Sequence, residues 1–240
     1  MSTQIIHRSE SRGTTNQGWL HSRHTFSFGD YYNPDRLHFG ALRVINDDML
    51  APGRGFGSHP HSNMEIVTIP LDGELNHKDH NEVETTLKPG SVQVISAGKG
   101  IFHNLQNKNK NRTARYLQLW FMPKIQGVTT RFELREFNSV ENELVPLITP
   151  DLHEKILWLF QDVWLYHALL SDKESLNYSI HQPDRNGIYI YVIEGSISID
   201  ENILHAGDGA GFYDFSNQKE IVFNAVDKCR FLLTEVPMKV

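Results

Sequence analysis

The segment from Gly53 to Gly73 reads GRGFGSHPHSNMEIVTIPLDG and decides the fold, because it joins two histidines to an apolar run and a turn. His59 and His61 are separated by one residue, so in an extended strand both imidazoles point to the same side. The apolar run from Met64 to Leu71 predicts a strand, and the Asp72-Gly73 pair after it is typical of a turn. The segment therefore predicts β-structure with two histidines on one face.

A third histidine, His103, follows a second glycine-rich turn, Gly98-Lys99-Gly100. Neutral imidazoles bind iron, copper, nickel and zinc, so His59, His61 and His103 together predict a metal site. Glu65 has the same parity as the first two histidines if the strand stays regular. The alternative is a set of histidines that are hydrogen-bonded around a polar barrel mouth and hold no metal tightly.

The remaining sequence indicates an all-β fold, because short runs rich in Val, Ile, Phe, Tyr and Trp recur between turn residues. Further predicted strands are Ser91–Ser96, Arg115–Met122, Trp164–Leu170, Ile188–Ile193, Ile197–Ile199 and Arg230–Val236. Residues 140–159 predict instead a helical turn or an irregular linker, since Pro146 and Pro150 keep any helix there short.

A weak internal repeat relates residues 66–96 to residues 190–214. In both copies an apolar strand ends in an acidic residue and a glycine, and a Leu-x-x-Gly segment leads into a later strand. The repeat predicts two tandem barrels, at residues 1–135 and 136–240. The second copy has no His-x-His motif, so we expect it to hold no metal and to serve as packing, as a cover or as a degenerate pocket.

Several other chemically active side chains are interpreted as structural or solvated. His77 and His80 fall in a polar stretch that predicts a solvated hairpin, and His21 and His24 are expected to be structural. Cys229 lies in an apolar run and predicts a buried thiol; because it is the only cysteine, no disulfide can form within the chain.

The composition excludes several classes of partner. A formal net charge of −6 and a pI of about 6.1 do not favour sequence-independent nucleic-acid binding. No segment approaches the apolar length of a membrane span, the N-terminal residues lack a signal-peptide pattern, and the cysteine usage fits a reducing compartment. We therefore expect a cytoplasmic protein without nucleic-acid or membrane partners.

These motifs, taken together, resemble the pirin family of the cupin superfamily, which comprises pirins and pirin-like quercetin 2,3-dioxygenases. The residues that carry the resemblance are His59-Pro60-His61, Gly98 to His103, Leu117-Gln118-Leu119-Trp120, Arg23 to Phe28, and Leu42 to Asp48. The resemblance covers nearly the whole chain. It implies two tandem cupin barrels of the jelly-roll type and favours a monomer.

The resemblance also implies a ligand set. In that family two histidines of the first motif, one histidine of the second and a glutamate hold the metal. The histidines match His59, His61 and His103, but Leu105 stands at the glutamate position. The implied cofactor is one divalent transition metal, iron by family, with zinc, nickel, copper and manganese as alternatives, or none if the site is degenerate. Glu65 is the candidate catalytic base in place of the missing carboxylate, or else a partner that holds a histidine tautomer.

Two functions follow as hypotheses from the resemblance. One is an oxidoreductase, a metal- and O2-dependent dioxygenase that cleaves a flavonol-like aromatic enol. The other is a non-catalytic, pirin-like regulatory module that binds a protein partner. Leu105 favours the second hypothesis or a weakened form of the first, because leucine cannot bind a metal.

Overall fold

A computed structural model describes residues 2–79, 83–151, 156–215 and 218–239, and these residues are almost wholly β-strand and loop. The first part of the chain contains β1 (Thr3–His7), β2 (Gly13–Asn16), β3 (Leu20–His24), β4 (Leu42–Leu50), β5 (Gly55–His61), β6 (Glu65–Asp72), β7 (Leu75–Asp79), β8 (Glu84–Leu87), β9 (Ser91–Ser96), β10 (Ile101–Gln106), β11 (Ala114–Phe121) and β12 (Arg131–Glu136). The second part contains β13 (Glu143–Ile148), β14 (Trp164–Leu170), β15 (Ser175–Ser179), β16 (Asn186–Glu194), β17 (Ser196–Ile199), β18 (Asn202–His205), β19 (Gly209–Tyr213), β20 (Glu220–Ala225) and β21 (Cys229–Pro237). A short 3-10 helix, Ser9–Ser11, joins β1 to β2.

The first barrel is made of two antiparallel sheets that face each other. One is seven-stranded, in the order β12-β9-β6-β11-β4-β3-β2, and the other is four-stranded, in the order β5-β10-β7-β8. Side chains from both sheets meet in apolar clusters between them. The sheets form a jelly roll with open edges, not a continuous ring of hydrogen bonds, which is the arrangement of a cupin domain.

The second barrel repeats this plan with a different edge strand. Its large sheet runs β1-β19-β16-β21-β14-β13 and its small sheet runs β15-β20-β17-β18. Strand β1 therefore lies in the sheet of the second barrel, where Ile5 pairs with Gly211, although it precedes the first barrel in sequence. The chain returns to the second barrel after β12, which ends at Glu136.

The large sheets of the two barrels pack against each other. One continuous cluster of buried residues joins them, with members such as Leu42 and Leu119 from the first barrel and Leu165, Tyr191 and Leu232 from the second. A separate apolar cluster fills the interior of the second barrel. Burial of apolar surface between the sheets is the main stabilising contribution to such an arrangement.

The structure confirms the all-β prediction and most of the predicted strands. The exception lies within residues 140–159, for which the sequence predicts a helical turn or an irregular linker: over Glu143 to Ile148 the chain instead forms β13, which pairs with β14. Pro146 fits there because β13 is an edge strand, where a residue without an N–H removes no internal ladder bond. Residues 152–155 lie outside the described residues.

Cys229 begins β21 and is buried, as its sequence context predicts. Burial raises the pKa of its thiol to about 11, so the group stays protonated and unreactive at neutral pH. None of the described residues forms a helix long and apolar enough to cross a membrane.

Candidate metal centre

Two neighbouring strands bring the predicted histidines together. His59 and His61 lie on β5, and His103 on β10 is the direct cross-strand partner of His59. The ring centroids are 4.5 Å apart for His59 and His103, 4.8 Å for His59 and His61, and 5.0 Å for His61 and His103. Candidate ligand atoms of the three residues all lie within 4.8 Å of one another, so one small ion could contact all of them.

The backbone determines which nitrogen of His59 is free. Its Nδ1 lies 2.8 Å from the carbonyl oxygen of Gly57. A carbonyl can only accept a hydrogen bond, so Nδ1 carries the proton and donates it. The neutral ring therefore keeps a lone pair on Nε2, which is the atom available to a metal.

A fourth histidine orients His103. The Nε2 atom of His77 lies 2.9 Å from Nδ1 of His103, and both side chains are buried. Nε2 of His103 is also buried and has no hydrogen-bond partner among the described residues. If Nδ1 of His103 donates to His77, the lone pair of His103 stands on Nε2, as a metal ligand requires. An orphaned buried nitrogen beside two further imidazoles fits a transition-metal site.

Burial keeps the imidazoles of His61, His77 and His103 neutral. It lowers the pKa of His61 to about 4, with His59 adding to the effect, and it lowers the pKa of His77 to about 4. The pKa of His103 falls to about 2, through burial first and then through the neighbouring histidines. Metal ligation requires the unprotonated form, so the site is ready for a cation near neutral pH.

The placement of His77 corrects the sequence-based expectation. It is 2% exposed on β7, not solvated in a hairpin, and it faces the barrel interior beside Phe132. The pattern contained a signal: Leu75 and His77 have the same parity in a strand, and Leu75 is apolar. His80 lies outside the described residues.

The Leu105 side chain is apolar and cannot bind a metal ion. It is 2% exposed and packs in a cluster with Leu20, Leu50 and Leu75. The register between β5 and β10 shifts between His103 and Leu105, so Leu105 pairs with Phe56. The wall of the site beside His103 is therefore hydrocarbon, and it offers no carboxylate to a metal.

Glu65 lies outside the histidine cluster. The expectation assumed a regular strand from His61 onward, but β5 ends at His61 and Asn63 takes a left-handed conformation, with φ of 48°, before β6 begins. The Glu65 carboxylate accepts hydrogen bonds from Ser96 Oγ at 2.8 Å and from the Phe160 amide at 3.2 Å. Burial raises its pKa, and these contacts oppose the shift. These contacts join Glu65 to β9 and to the Phe160 backbone, and not to the histidines.

A cavity of about 350 Å³ opens beside the histidines, between the two sheets of the first barrel. Its walls are formed by Thr15, Gln17, Leu20, Ser22, His24, Phe28, Gly29, Asp30, Asn46, Asp48, Phe56, His59, His61, His103, Leu105, Gln118 and Trp120. Trp120 stands edge-on to His61, with ring centroids 4.9 Å apart. Aromatic walls and a few polar groups are typical of pockets for small organic ligands.

The wall opposite the histidines is polar. His24 Nδ1 lies 2.8 Å from Asn46 Oδ1, and its Nε2 lies 2.9 Å from Thr15 Oγ1, so both ring nitrogens have partners. This bonding agrees with the structural role expected for His24. Next to it, Ser22 Oγ donates a short hydrogen bond to Asp48, and burial raises the pKa of Asp48 to about 6 while that hydroxyl opposes the shift.

Sequence comparison with known proteins also indicates a two-domain cupin of the pirin type. A family model described as Pirin matches residues 6–121, and one described as Quercetinase C-terminal cupin domain matches residues 147–236. A quercetin 2,3-dioxygenase of Escherichia coli K12 is 36% identical over 234 residues, which covers 97% of this chain and 98% of the relative. A protein of Zymomonas mobilis named putative quercetin 2,3-dioxygenase is 39% identical over 202 residues, covering 83% of this chain and 85% of its own.

Solved structures agree in fold. The bacterial pirin YhhW of Escherichia coli, in complex with nickel(II), superposes with a TM-score of 0.92 at 34% identity, covering 99% of this chain and 100% of that chain. The protein GK1651 of Geobacillus kaustophilus superposes with a TM-score of 0.79 at 20% identity and shares the two-barrel fold.

Proposed function

This chain belongs to the pirin family of two-domain cupins, and we propose that it is a metal-dependent quercetin 2,3-dioxygenase. In this proposal His59, His61 and His103 hold one divalent transition metal, and the pocket beside them binds a flat, hydroxylated aromatic substrate of the flavonol class. Iron, nickel, copper, zinc and manganese are the candidate ions, because imidazole binds each of them to some degree.

One observation carries the proposal. The buried Nε2 of His103 has no hydrogen-bond partner within the part of the chain that the structure describes, and it belongs to a group of imidazoles whose ligand atoms lie within 4.8 Å of one another. A buried, unsatisfied nitrogen costs about 1–3 kcal/mol. A bound cation removes that cost, because the lone pair then has a partner.

The chain's own residues would prepare the substrate. The metal would supply Lewis acidity and a binding position for oxygen chemistry. The aromatic rings of Phe28, Phe56 and Trp120 would hold a flat ligand by its faces and edges. Enclosure between the two sheets would exclude bulk water from the reacting atoms.

The first experiment measures metal content of the untagged protein beside His61→Ala. We expect about one equivalent of a transition metal in the wild type and at least a tenfold lower content in the variant, because loss of one ligand leaves two imidazoles. His205→Ala is the matched control, since His205 lies on β18 of the second barrel. Consumption of quercetin under oxygen should then require both the metal and His61.

Absence of metal from wild type after refilling with each candidate ion refutes the proposal. Stoichiometric metal without any consumption of quercetin refutes the dioxygenase part and keeps the metal site.

The second candidate is a pirin-type binding module without turnover, and the buried position of Leu105 favours it. The side chain at position 105 is a leucine packed in an apolar cluster, so this position supplies no anionic ligand to the histidines. A metal-loaded protein that binds quercetin but does not consume it supports this candidate.

A further inference from the structure

The pocket has two chemically different walls, and the second one has no role in the site described so far. One wall carries the histidines and Leu105, without a carboxylate. The other wall is formed by β3 and β4, where Ser22 pairs directly with Asp48. Both polar side chains line the cavity that the histidines line.

Asp48 is an unusual carboxylate for a buried position. It is 4% exposed, and it forms no ion pair with a lysine or arginine anywhere in the part of the chain that the structure describes. Its neighbour Asp47 takes the bidentate contact of Arg115 on the opposite face of β4. A buried carboxylate without a cation is costly, and such groups concentrate at functional sites.

The cavity contains few other carboxylates. Asp30 also lines it, but that residue is exposed to solvent. The oxygen atoms of Asp48 are therefore the enclosed anionic group that a ligand between the two walls would meet. A phenolic or enolic hydroxyl is the chemical partner that such a carboxylate selects, because it can donate a hydrogen bond and then a proton.

We propose that Asp48 binds a hydroxyl group of the substrate and accepts its proton, and this inference rests on the proposed function. In this step the O–H bond of the ligand breaks, the electron pair stays on the ligand oxygen, and an O–H bond forms on the Asp48 carboxylate. No oxidant is needed for the step. Ser22 positions the carboxylate by donating to its Oδ1 atom.

The electrostatic surroundings suit this role. Burial raises the pKa of Asp48 to about 6; the Ser22 and Tyr116 hydroxyls lower it, Asp47 raises it and Arg12 lowers it. Tyr116 is the cross-strand neighbour on β11, and burial raises its pKa well above the usual value, so it stays neutral. His24 and Asp30 line the same pocket, and the metal-site histidines face it from the other sheet. Near neutral pH the carboxylate is mostly ionised and still basic enough to take a proton.

The test follows the proton in zinc-loaded protein, which does not turn over because zinc is redox-inert. Quercetin is titrated into wild type, Asp48→Asn and the control Asp172→Asn near pH 7; Asp172 is an exposed carboxylate of the second barrel that does not line the cavity. Its absorption band reports whether the bound ligand is ionised. Calorimetry in two buffers of different ionisation enthalpy counts the protons released.

Wild type and Asp172→Asn should bind ionised quercetin and release almost no proton, because Asp48 retains it. Asp48→Asn should either bind neutral quercetin or release close to one proton, with at least tenfold weaker binding and unchanged zinc content. Ser22→Ala should ionise bound quercetin at lower pH than wild type does, because loss of the hydrogen bond that favours the charged carboxylate makes Asp48 a stronger base. A structural role of Asp48 would not produce that shift.

The outcomes separate the two proposals. An unchanged spectrum and proton count in Asp48→Asn overturns the role of Asp48 alone. A wild type that holds zinc but does not bind quercetin overturns the substrate class and the Asp48 proposal with it. A wild type that cannot hold zinc or any other transition metal overturns the proposed function.

Discussion

The two barrels share one strand plan but fill their interiors differently. In the small sheet of the second barrel, neighbouring strands β15 and β20 direct Leu176, Tyr178, Ile221 and Phe223 into an apolar core. In the first barrel the strands in the same sheet positions, β5 and β10, carry the histidines and line a cavity. The comparison teaches that one scaffold can serve stability in one copy and ligand binding in the other.

The comparison of buried carboxylates leads to the same conclusion. In the second barrel Glu235 accepts hydrogen bonds from the Tyr178 hydroxyl, two backbone amides and the Asn186 amide group, at 2.7 to 3.0 Å. In the first barrel Asp48 accepts a hydrogen bond from the Ser22 hydroxyl, has the Tyr116 hydroxyl beside it, and lines a cavity. A fully satisfied carboxylate is structural, whereas a partly satisfied one beside a cavity is available to a ligand.

The largest expected effect comes from breaking the core of the second barrel. Phe223→Ala should lower the free energy of unfolding by about 3–5 kcal/mol, because it removes a fully buried ring. His59→Ala in the metal-free protein should cost ~1 kcal/mol or less, since His59 is partly exposed. Urea denaturation measures both values. Equal losses of stability would contradict the assignment of the second barrel's interior to stability and of the first barrel's interior to ligand binding.

A carboxylate introduced beside the histidines should make stability depend on metal. Leu105→Glu should destabilise the metal-free protein by roughly 3 kcal/mol above neutral pH, because it buries an uncompensated charge in an apolar cluster. Added nickel or zinc should restore most of that loss. Thermal unfolding with and without metal measures it, and Leu105→Met, which conserves volume, should cost less than about 1.5 kcal/mol. No difference in metal response between the variants would refute the proximity of position 105 to the ion.

The adjacent carboxylates Asp47 and Asp48 should contribute to stability with opposite dependence on pH. Burial raises the folded-state pKa of Asp48 from 3.8 to about 6, so its contribution is present at low pH and is lost as pH rises through that window. The loss is at most about 3 kcal/mol. Asp48→Asn should remove it, which is measured as the difference between variant and wild-type unfolding free energies against pH.

Asp47 is the matched comparison. Burial works to raise its pKa, but the hydrogen bonds and charge of Arg115 outweigh that effect and hold the pKa below its ordinary value. Its contribution is therefore present above the unfolded-state pKa and is lost as pH falls through the folded-state value. Asp47→Asn should thus alter the pH profile in the opposite direction, and profiles of the same sign would disprove the assignment.

The smallest expected effect tests the hydrogen bond between His77 and His103. His77→Phe should weaken metal affinity by about 10–100-fold, because His103 loses the acceptor that orients its tautomer. His77→Gln keeps an acceptor oxygen and should recover most of the affinity. Competition with a chelator measures both variants. Equal weakening in the two would indicate that His77 acts by packing alone.

Local patterns account for the part of the site that the sequence predicts. His59, His61 and His103 are marked by strand alternation and by glycine turns, and the structure brings them together. Glu65 departs from the predicted parity because the chain turns at Asn63, which ends the strand regularity on which that parity depends. Asp48 could not be placed, because its side of the cavity exists only when β3, β4 and β11 pair with each other.

The position of β1 in the sheet of the second barrel has a consequence for how the halves can come apart. The chain starts in the second barrel, crosses into the first after His7, and crosses back after Glu136. After a protease cut between β12 and β13, the first half therefore stays hydrogen-bonded through β1 to β19 of the second half. The two barrels are thus joined by this exchanged edge strand as well as by their apolar contact. Neither half of the gene encodes every strand of the second barrel.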